Sequence, residues 1–213
     1  DVQSDLPVGR GMGSSAALAV ALVNAYQPDL AAQAVIDAAM PIERSFHGNP
    51  SGLDVAVSAF GGGLLFRKGP PMVLEPVRLG DWHVVVMDSG TPGDTRALVA
   101  KVAAQRPSID SVLDEIGALV LQARNHLHDL DALGPLLSHN HALLQRIGVS
   151  TQRLDGLVQL ALDAGASGAK LAGAGGGGVV LALCRDPAPL LAAAASHGVP
   201  ALAAQPAPPH GAS

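Results

Sequence analysis

The sequence predicts a two-layer α+β fold, and three observations lead to that prediction. Helix-like apolar stretches and short β-branched stretches occur in one chain of 213 residues, without the regular alternation of a doubly wound sheet. Hydrophobic residues make up 48% of the chain and aromatic residues only 2%, so we expect a core of Leu, Val and Ala. Clusters of Gly and Pro separate these stretches and predict turns.

Helices and strands are both predicted in the first part of the chain. Residues 1–6 resemble the end of a strand, and helices are expected over 14–27, 30–46 and 53–60, with Pro41 as a kink or restart. Strands are expected in the segments "GGGLLFRKG", "MVLEPV" and "WHVVVMDSG". A boundary near residues 70–82 divides the chain into predicted domains of residues 1–72 and 73–213.

Helices dominate the later part of the predicted structure. They are expected over 93–105, 109–131, 134–147, 151–164 and 187–196, with Ser150 as a helix cap. Between the last two helices, "AKLAGAGGGGVVLALC" predicts a strand, a glycine turn and a second strand. Residues 199–213 are rich in Pro and Ala, so we expect them to be loosely ordered.

Composition argues against several classes of partner. The net charge is −5 and no basic face is evident, which argues against nucleic acid. No stretch approaches the roughly 18–20 apolar residues of a membrane span, and the first residues do not look like a signal peptide. The single cysteine, Cys184, forms no internal disulfide and is expected to be buried. We therefore expect a cytoplasmic protein without a membrane partner.

The segment "PVGRGMGSSAALAV", Pro7 to Val20, has the form of an anion-binding loop before a helix. It is not a P-loop, because Met12, Gly13 and Ser14 stand where that motif needs a Lys. A phosphate can still bind to the free amides at the helix N-terminus, and Ser14 or Ser15 can bind a phosphate oxygen or Mg²⁺. A tight strand–helix turn without a ligand is the alternative.

A second glycine segment, Gly173–Gly178, contains the spacing G-x-G-x-x-G. A dinucleotide fingerprint has to open a helix, whereas this segment opens the strand-like "VVLAL", so we reject that interpretation. The favoured interpretation is a close approach of the backbone to a ligand or another loop, and a flexible loop is the alternative.

Two carboxylates complete a candidate site. Asp54 can act as a general base or orient a hydroxyl, although, taken alone, it is favoured as a helix cap. Glu43, taken alone, is favoured as a solvated charge or an ion pair. Together with Ser15, these groups provide the oxygen ligands and the base that Mg²⁺-assisted phosphoryl transfer needs. The segments His126–Asp131 and Ser138–His141 are interpreted as solvated helix surface.

Three segments, in order, resemble the GHMP small-molecule kinases: "PVGRGMGSSAA", "HGNPSGLD" and "GAKLAGAGGGG". The longer middle stretch "ERSFHGNPSGLDVAVSAFGG" is most similar to the mevalonate kinases within that family. The resemblance implies the GHMP kinase fold, with a partial N-terminal ribosomal protein S5 domain 2-like part and a C-terminal ferredoxin-like α/β domain.

The resemblance also implies a reaction, in which ATP phosphorylates (R)-mevalonate in isoprenoid synthesis. Ser15 and Glu43 would hold Mg²⁺, Asp54 would take or orient the hydroxyl proton, and His47 and Thr95 would contact mevalonate. The implied nucleotide-binding residues are Pro7, Val8, Gly9, Arg10, Gly11, Met12, Gly13, Ser14, Ser15, Ala16, Ala17, Gly173, Gly175 and Gly176. The alternatives are another GHMP kinase, for phosphomevalonate or a sugar, and a non-catalytic nucleotide-binding protein of this fold.

Some positions depart from the family pattern. Ala172 stands where Thr is usual, and Val55 where Asn is common. The family's first motif, a strand with a Lys and a Gly-Glu-His stretch, has no match in these 213 residues. We therefore expect the isolated chain to have little or no activity. We also expect an unpaired sheet edge, which makes a homodimer one expected state.

Overall fold

The computed structural model describes residue 3, residues 11–47 and residues 50–206, so the strand expected over residues 1–6 lies outside the described residues. The chain divides between Leu79 and Gly80 into two compact units, each of which is described by itself. Among the described residues, no helix combines the length and the apolar character that crossing a bilayer requires.

The first unit contains three helices and a two-stranded antiparallel sheet. These are α1 (Ser14–Tyr26), α2 (Ala32–His47), α3 (Leu53–Phe60), β1 (Gly63–Arg67) and β2 (Val73–Val77). The second helix continues through Pro41. Because β2 pairs with β1, residues 73–79, which the sequence analysis assigned to the second domain, pack with the first unit.

Small side chains let the three helices of the first unit approach one another closely. Ala16 of α1, Ala39 of α2 and Ala56 of α3 are fully buried in one apolar cluster. Alanine adds little width to a helix, so backbones can come near while still excluding water. This packing determines where the N-terminal end of α1 lies relative to α2 and α3.

The second unit places helices against a four-stranded antiparallel sheet of strand order β4-β5-β3-β6. Its elements are β3 (His83–Asp88), α4 (Thr95–Ala104), α5 (Asp110–Arg124), α6 (Leu130–Arg146), α7 (Gln152–Asp163), β4 (Gly168–Leu171), β5 (Val179–Cys184), α8 (Ala188–Ser196) and β6 (Ala201–Ala204). The strand register puts Met87, Val180 and Leu171 side by side on the buried face of the sheet. Cys184 is buried, as expected.

Two sequence predictions in the second unit are wrong. Ala201–Ala204, expected to be loosely ordered, forms β6 and pairs with β3, which would otherwise leave its backbone groups unpaired on that side. The helix predicted over 109–131 ends at Arg124, and a new helix begins at Leu130 rather than at residue 134. The reason is Asp129, whose carboxylate accepts hydrogen bonds from the amides of the first turn of α6.

The cap of α7 is also different from the expected one. Thr151, and not Ser150, accepts the hydrogen bond from the Leu154 amide and caps the helix. The hydroxyl of Ser150 donates instead to Asp155 in the first turn of the same helix. Ser150 is therefore free to take part in a different hydrogen-bond network.

Two glycines allow α6 to cross the edge strand β4 at backbone contact. A methyl group added at Gly134 would overlap the Ser167 carbonyl oxygen, and one added at Gly168 would overlap the Gly134 carbonyl oxygen. Neither carbonyl is the end of a flexible side chain, so the backbone itself would have to move.

We predict that Gly134→Ala lowers the free energy of unfolding by about 1–3 kcal/mol, because the added methyl overpacks this crossing. Gly156→Ala is the matched control, since Gly156 lies inside α7 with nothing within 4 Å of an added methyl. That control should gain about 0.5–1 kcal/mol from helix propensity. Urea denaturation measures both variants, and equal effects would contradict the assigned crossing.

Candidate functional site

The N-terminal end of α1 is formed by a glycine that no other residue replaces without strain. Gly13 is the N-cap, with φ 69° and ψ 22° in the left-handed region. The first intrahelical hydrogen bond runs from the Ala17 amide to the Gly13 carbonyl, 2.9 Å. The amides of Ser14, Ser15 and Ala16 precede that bond, so the helix presents donors and the positive end of its dipole at this point.

Glu43 lies on the interior face of α2, although it is charged. It follows Ile36 and Ala39 at helical spacing, and it is only 3% exposed. The hydroxyl of Ser15 donates to Oε1 of Glu43 over 3.1 Å. A buried carboxylate costs several kcal/mol unless it is paired, so this position demands a partner. The interpretation of Glu43 as a solvated charge is wrong.

Asp54 lies beside the same end of α1. It stands in the first turn of α3 and is exposed, and the N-cap of that helix is Gly52 rather than Asp54. A methyl group added at Gly13 would lie 3.5 Å from Cβ and 3.8 Å from Oδ1 of Asp54. The structure thus brings a half-buried hydroxyl, a buried carboxylate and an exposed carboxylate to one helix end.

Some of the expected site residues are not among those that the structure describes. Residues 7–10 are outside the described residues, and so is the side chain of His47, the last residue of α2. Within the described part of the loop, Gly11 also has a positive φ of 74°. Ala16 is fully buried in the helix packing.

The glycine turn, Gly173–Gly178, belongs to the second unit and connects β4 to β5. The rejection of a dinucleotide fingerprint is therefore confirmed, since the turn opens a strand. The Gly176 amide donates to the Val149 carbonyl over 2.8 Å, and the Gly178 amide donates to the Thr91 carbonyl over 2.7 Å. The turn is held against two other segments of its own unit.

Several glycines of this turn are required for two different reasons. Gly173 has a φ of 73° with open space around it, whereas a methyl on Gly175 would overlap the Val149 carbonyl oxygen. A methyl on Gly177 would overlap the Thr91 carbonyl oxygen. The amide of Gly176 is already used by Val149, so that expected nucleotide-binding residue does not offer its N–H to a ligand.

Thr95 begins α4 and is exposed. The preceding Asp94 caps this helix by accepting from the Ala97 amide over 2.9 Å. A methyl group added at Gly93 would overlap the Gly175 carbonyl oxygen, so the segment before α4 packs closely on the glycine turn. Thr95 therefore lies close to that contact in the chain.

His141 is a residue whose environment the sequence analysis misjudged. It is 5% exposed, and not part of a solvated helix surface. Its Nδ1 accepts from the Leu171 amide over 3.3 Å, and its Nε2 donates to Oδ1 of Asp155 over 3.2 Å. The signal in the sequence was weak: His141 follows the buried Gly134 by seven residues, which places both on one side of α6.

The two outward-facing amides of β4 explain why α6 carries polar side chains here. Ser138 accepts from the Ala169 amide over 3.4 Å, and His141 accepts from the Leu171 amide. Alternate amides of an edge strand point away from the sheet and need partners. Ser138 and His141, three residues apart on α6, therefore accept from the amides of Ala169 and Leu171, two residues apart on β4.

Burial lowers the pKa of His141 below its ordinary value of 6.5. The Asp155 carboxylate acts in the opposite direction, and the charge of Lys170 adds to the lowering. Burial also lowers the pKa of Lys170. The imidazole is therefore neutral near pH 7, in agreement with an Nδ1 that accepts a hydrogen bond.

Comparison with known proteins agrees with this architecture. The model for the GHMP kinases N terminal domain matches residues 1–62, and the model for the GHMP kinases C terminal domain matches residues 103–199. The chain belongs to the GHMP kinase family, so the resemblance and the fold expected from the glycine motifs are confirmed.

Individual proteins similar to this chain are mevalonate kinases, which are one kind of GHMP kinase. The mevalonate kinase of Thermococcus sibiricus is 40% identical over 200 residues, which are 87% of this chain and 59% of that protein. The structure of L. major mevalonate kinase in complex with R-mevalonate has a TM-score of 0.81 and 31% identity, covering 92% of this chain and 66% of that one. For the mevalonate kinase of methicillin-resistant Staphylococcus aureus, the TM-score is 0.73 and the identity is 31%, with 95% and 69% covered. The chain spans about 59% of the length of the first of these relatives.

We predict that the free energy of unfolding falls as the pH falls through about 6.5, because His141 resists protonation only in the folded state. The unfolded chain then binds more protons than the folded one, so stability rises with pH in this window. His141→Gln should reduce this slope, and His139→Gln, at an exposed position of the same helix, is the comparison for removing a histidine from α6. Urea denaturation between about pH 5 and 8 measures the slopes, and parallel slopes for all three proteins would contradict the assignment.

Proposed function

We propose that the protein is a mevalonate kinase-type phosphotransferase, which transfers the γ-phosphoryl group of ATP to the 5-hydroxyl of (R)-mevalonate in isoprenoid biosynthesis. The observation that carries the proposal is the convergence of Ser15, Glu43 and Asp54 on the N-terminal end of α1. The substrate is supported by the mevalonate kinases among the relatives, one of whose structures contains R-mevalonate.

The phosphates of ATP are assigned to residues 7–17, of which 14–17 form the start of α1. The first-turn amides and the positive end of the helix dipole bind anionic oxygens without a lysine. Because Gly13 has no side chain, the phosphates can approach the backbone closely at the N-cap of α1. Gly173, Gly175 and Gly176 are assigned to the nucleotide, with Gly176 contacting it through atoms other than its N–H, and His47 and Thr95 are assigned to mevalonate.

Ser15 and Glu43 fit a Mg²⁺ ion. They offer a hydroxyl and a carboxylate, both hard oxygen donors, with Oγ of the half-buried Ser15 and Oε1 of the buried Glu43 3.1 Å apart. No cluster of three or more His, Cys, Asp or Glu able to hold a metal occurs among the described residues. A pair of protein ligands is typical of Mg²⁺, which keeps waters and substrate phosphates as its other ligands. Bound there, Mg²⁺ would neutralise charge on the transferring phosphates.

Asp54 is the proposed acceptor of the hydroxyl proton. Its exposed carboxylate can face a substrate, and the first turn of α3 favours its negative charge. As the mevalonate 5-oxygen forms its bond to the γ-phosphorus, the bond from that phosphorus to the bridging oxygen breaks, and ADP leaves with that oxygen. The hydroxyl proton passes to the Asp54 carboxylate.

We predict that Asp54→Asn lowers kcat by about 10²–10⁴-fold, because the proton loses its acceptor, while the Kd for ATP changes little. Coupled ADP release with (R)-mevalonate, on the protein as its gene encodes it, measures kcat. Asp37→Asn is the matched control, since Asp37 is an exposed aspartate on α2 that accepts a hydrogen bond from Gln33 one turn earlier on the same helix.

Two outcomes of this assay would contradict the proposal. ADP release that depends on phosphomevalonate or a sugar, but not on mevalonate, would indicate a different GHMP kinase. ATP binding without ADP release, with every one of these acceptors, would indicate a non-catalytic nucleotide-binding protein.

We predict that Ser15→Ala and Glu43→Gln each raise the Mg²⁺ concentration needed for half-maximal activity by about 10–100-fold, a range typical of weakened metal sites. Gln preserves the size of Glu43 and can still accept from Ser15, so the packing should persist. Ser45→Ala is the control, because Ser45 lies on the same helix, is exposed, and donates its hydroxyl to the Ile42 carbonyl. An unchanged Mg²⁺ requirement in both variants would place the metal elsewhere.

A further inference from the structure

We propose that His141 is a positioning residue, which holds the glycine turn in place through a hydrogen-bond network that includes Leu171, Asp155 and Ser150. The effect on nucleotide rests on the proposed function, in which this turn contacts ATP. The effect on the turn itself depends only on the contacts of the second unit.

The network begins directly before the turn. Leu171 ends β4, two residues before Gly173, and its amide points away from the sheet. The only acceptor for this amide among the described residues is Nδ1 of His141. Leu171 and His141 are both buried, so water does not replace this bond easily. Losing the imidazole therefore leaves a buried amide unsatisfied at the start of the turn.

The network continues to the segment that holds the centre of the turn. Nε2 of His141 donates to Oδ1 of Asp155, and the Ser150 hydroxyl donates to the same oxygen. Ser150 follows Val149, whose carbonyl accepts the Gly176 amide and contacts Gly175. The start and the centre of the turn are thus connected through a single buried imidazole.

The arrangement is not a nucleophilic triad. In a triad the serine hydroxyl bonds to the imidazole, whereas here Ser150 donates to the carboxylate. The second nitrogen of His141 is already occupied by a backbone amide. The groups can orient one another, but they leave no activated hydroxyl, so the role is geometric.

Protonation of His141 would break the network at its first bond. An imidazolium has two N–H donors and no acceptor, so Nδ1 could no longer receive the Leu171 amide. The charged groups that face this imidazole are Asp155 on α7, which favours the proton, and Lys170 on β4, which opposes it. The turn should therefore loosen at a pH below the ordinary range of histidine.

Amide hydrogen exchange and Mg–ATP binding, measured on the same protein preparation, test the role. His141→Ala should raise the exchange rate of residues 172–178 about tenfold and weaken ATP binding about fivefold, the scale of one lost buried hydrogen bond. His141→Gln supplies an acceptor and a donor, so it should restore most of the protection. It should also remove the loss of protection that the unmodified protein shows as the pH falls below about 6.5.

His139→Ala is the matched control, because His139 lies two positions earlier on α6 and pairs with Glu115 at the surface. It should leave the turn unchanged. Unchanged exchange of residues 172–178 in His141→Ala would overturn the positioning role. So would an equal rise in exchange throughout α5 and α7, which would indicate loss of global stability.

The two proposals fail in different ways. If His141→Ala loosens the turn but the unmodified protein binds no ATP, the positioning of the turn stands and the assigned nucleotide role falls. If ATP binds and neither the affinity nor the exchange of the turn responds to His141→Ala, the proposed function stands and the positioning role falls.

Discussion

The hydrogen bond between the Ser15 hydroxyl and the Glu43 carboxylate is the interaction on which the candidate site depends. It joins the first turn of α1 to the interior face of α2, at a position only 3% exposed. A carboxylate in that place is costly without a partner, and an apolar residue would pack there at no such cost. The proposed phosphoryl transfer gives this carboxylate a role at the helix end, as a ligand of Mg²⁺.

The position of that helix end follows from the packing of small side chains. Ala16, Ala39 and Ala56 let α1, α2 and α3 approach closely, and Asp54 reaches the Gly13 cap because α3 is so near. Larger residues at these alanines would separate the helices and move the carboxylate away from the cap. The geometry of the site is therefore a consequence of the core of the first unit.

In the second unit, the packing is constrained by segments whose backbones lie in direct contact. The glycine turn contacts Val149 and Thr91 through its own amides, and α6 crosses β4 at Gly134 and Gly168. These approaches leave buried amides and carbonyls that must all find partners. His141 meets one of these needs, in the same way that Ser15 meets the need of Glu43.

Much of this could be predicted from the sequence, because the relevant signals are local. Runs of small and apolar residues between turn segments predicted α1 and α3, and β-branched residues after the glycine turn correctly excluded a dinucleotide fingerprint. The glycine motifs, taken in order, indicated the family. The order of residues along the chain was sufficient for each of these conclusions.

The remaining features depend on contacts between distant residues. The strand β6 forms because its backbone pairs with the edge of β3. The residues "ALAA" contain no local signal that predicts this strand. The burial of His141 depends on β4 lying under α6, and Glu43 could be recognised only by asking which face of α2 it shares with Ile36. Polar residues on an apolar stripe were read as surface because their partners lie far away in sequence.

The most direct test of the central claim is a crystal structure of the protein with a non-hydrolysable ATP analogue and Mg²⁺, or Mn²⁺ as a visible replacement. The account predicts a metal at coordination distance, about 2.1 Å for Mg²⁺, from the Ser15 hydroxyl and the Glu43 carboxylate. It also predicts phosphate oxygens on the first-turn amides of α1. A metal and phosphates bound away from Ser15, Glu43 and the start of α1 would contradict it.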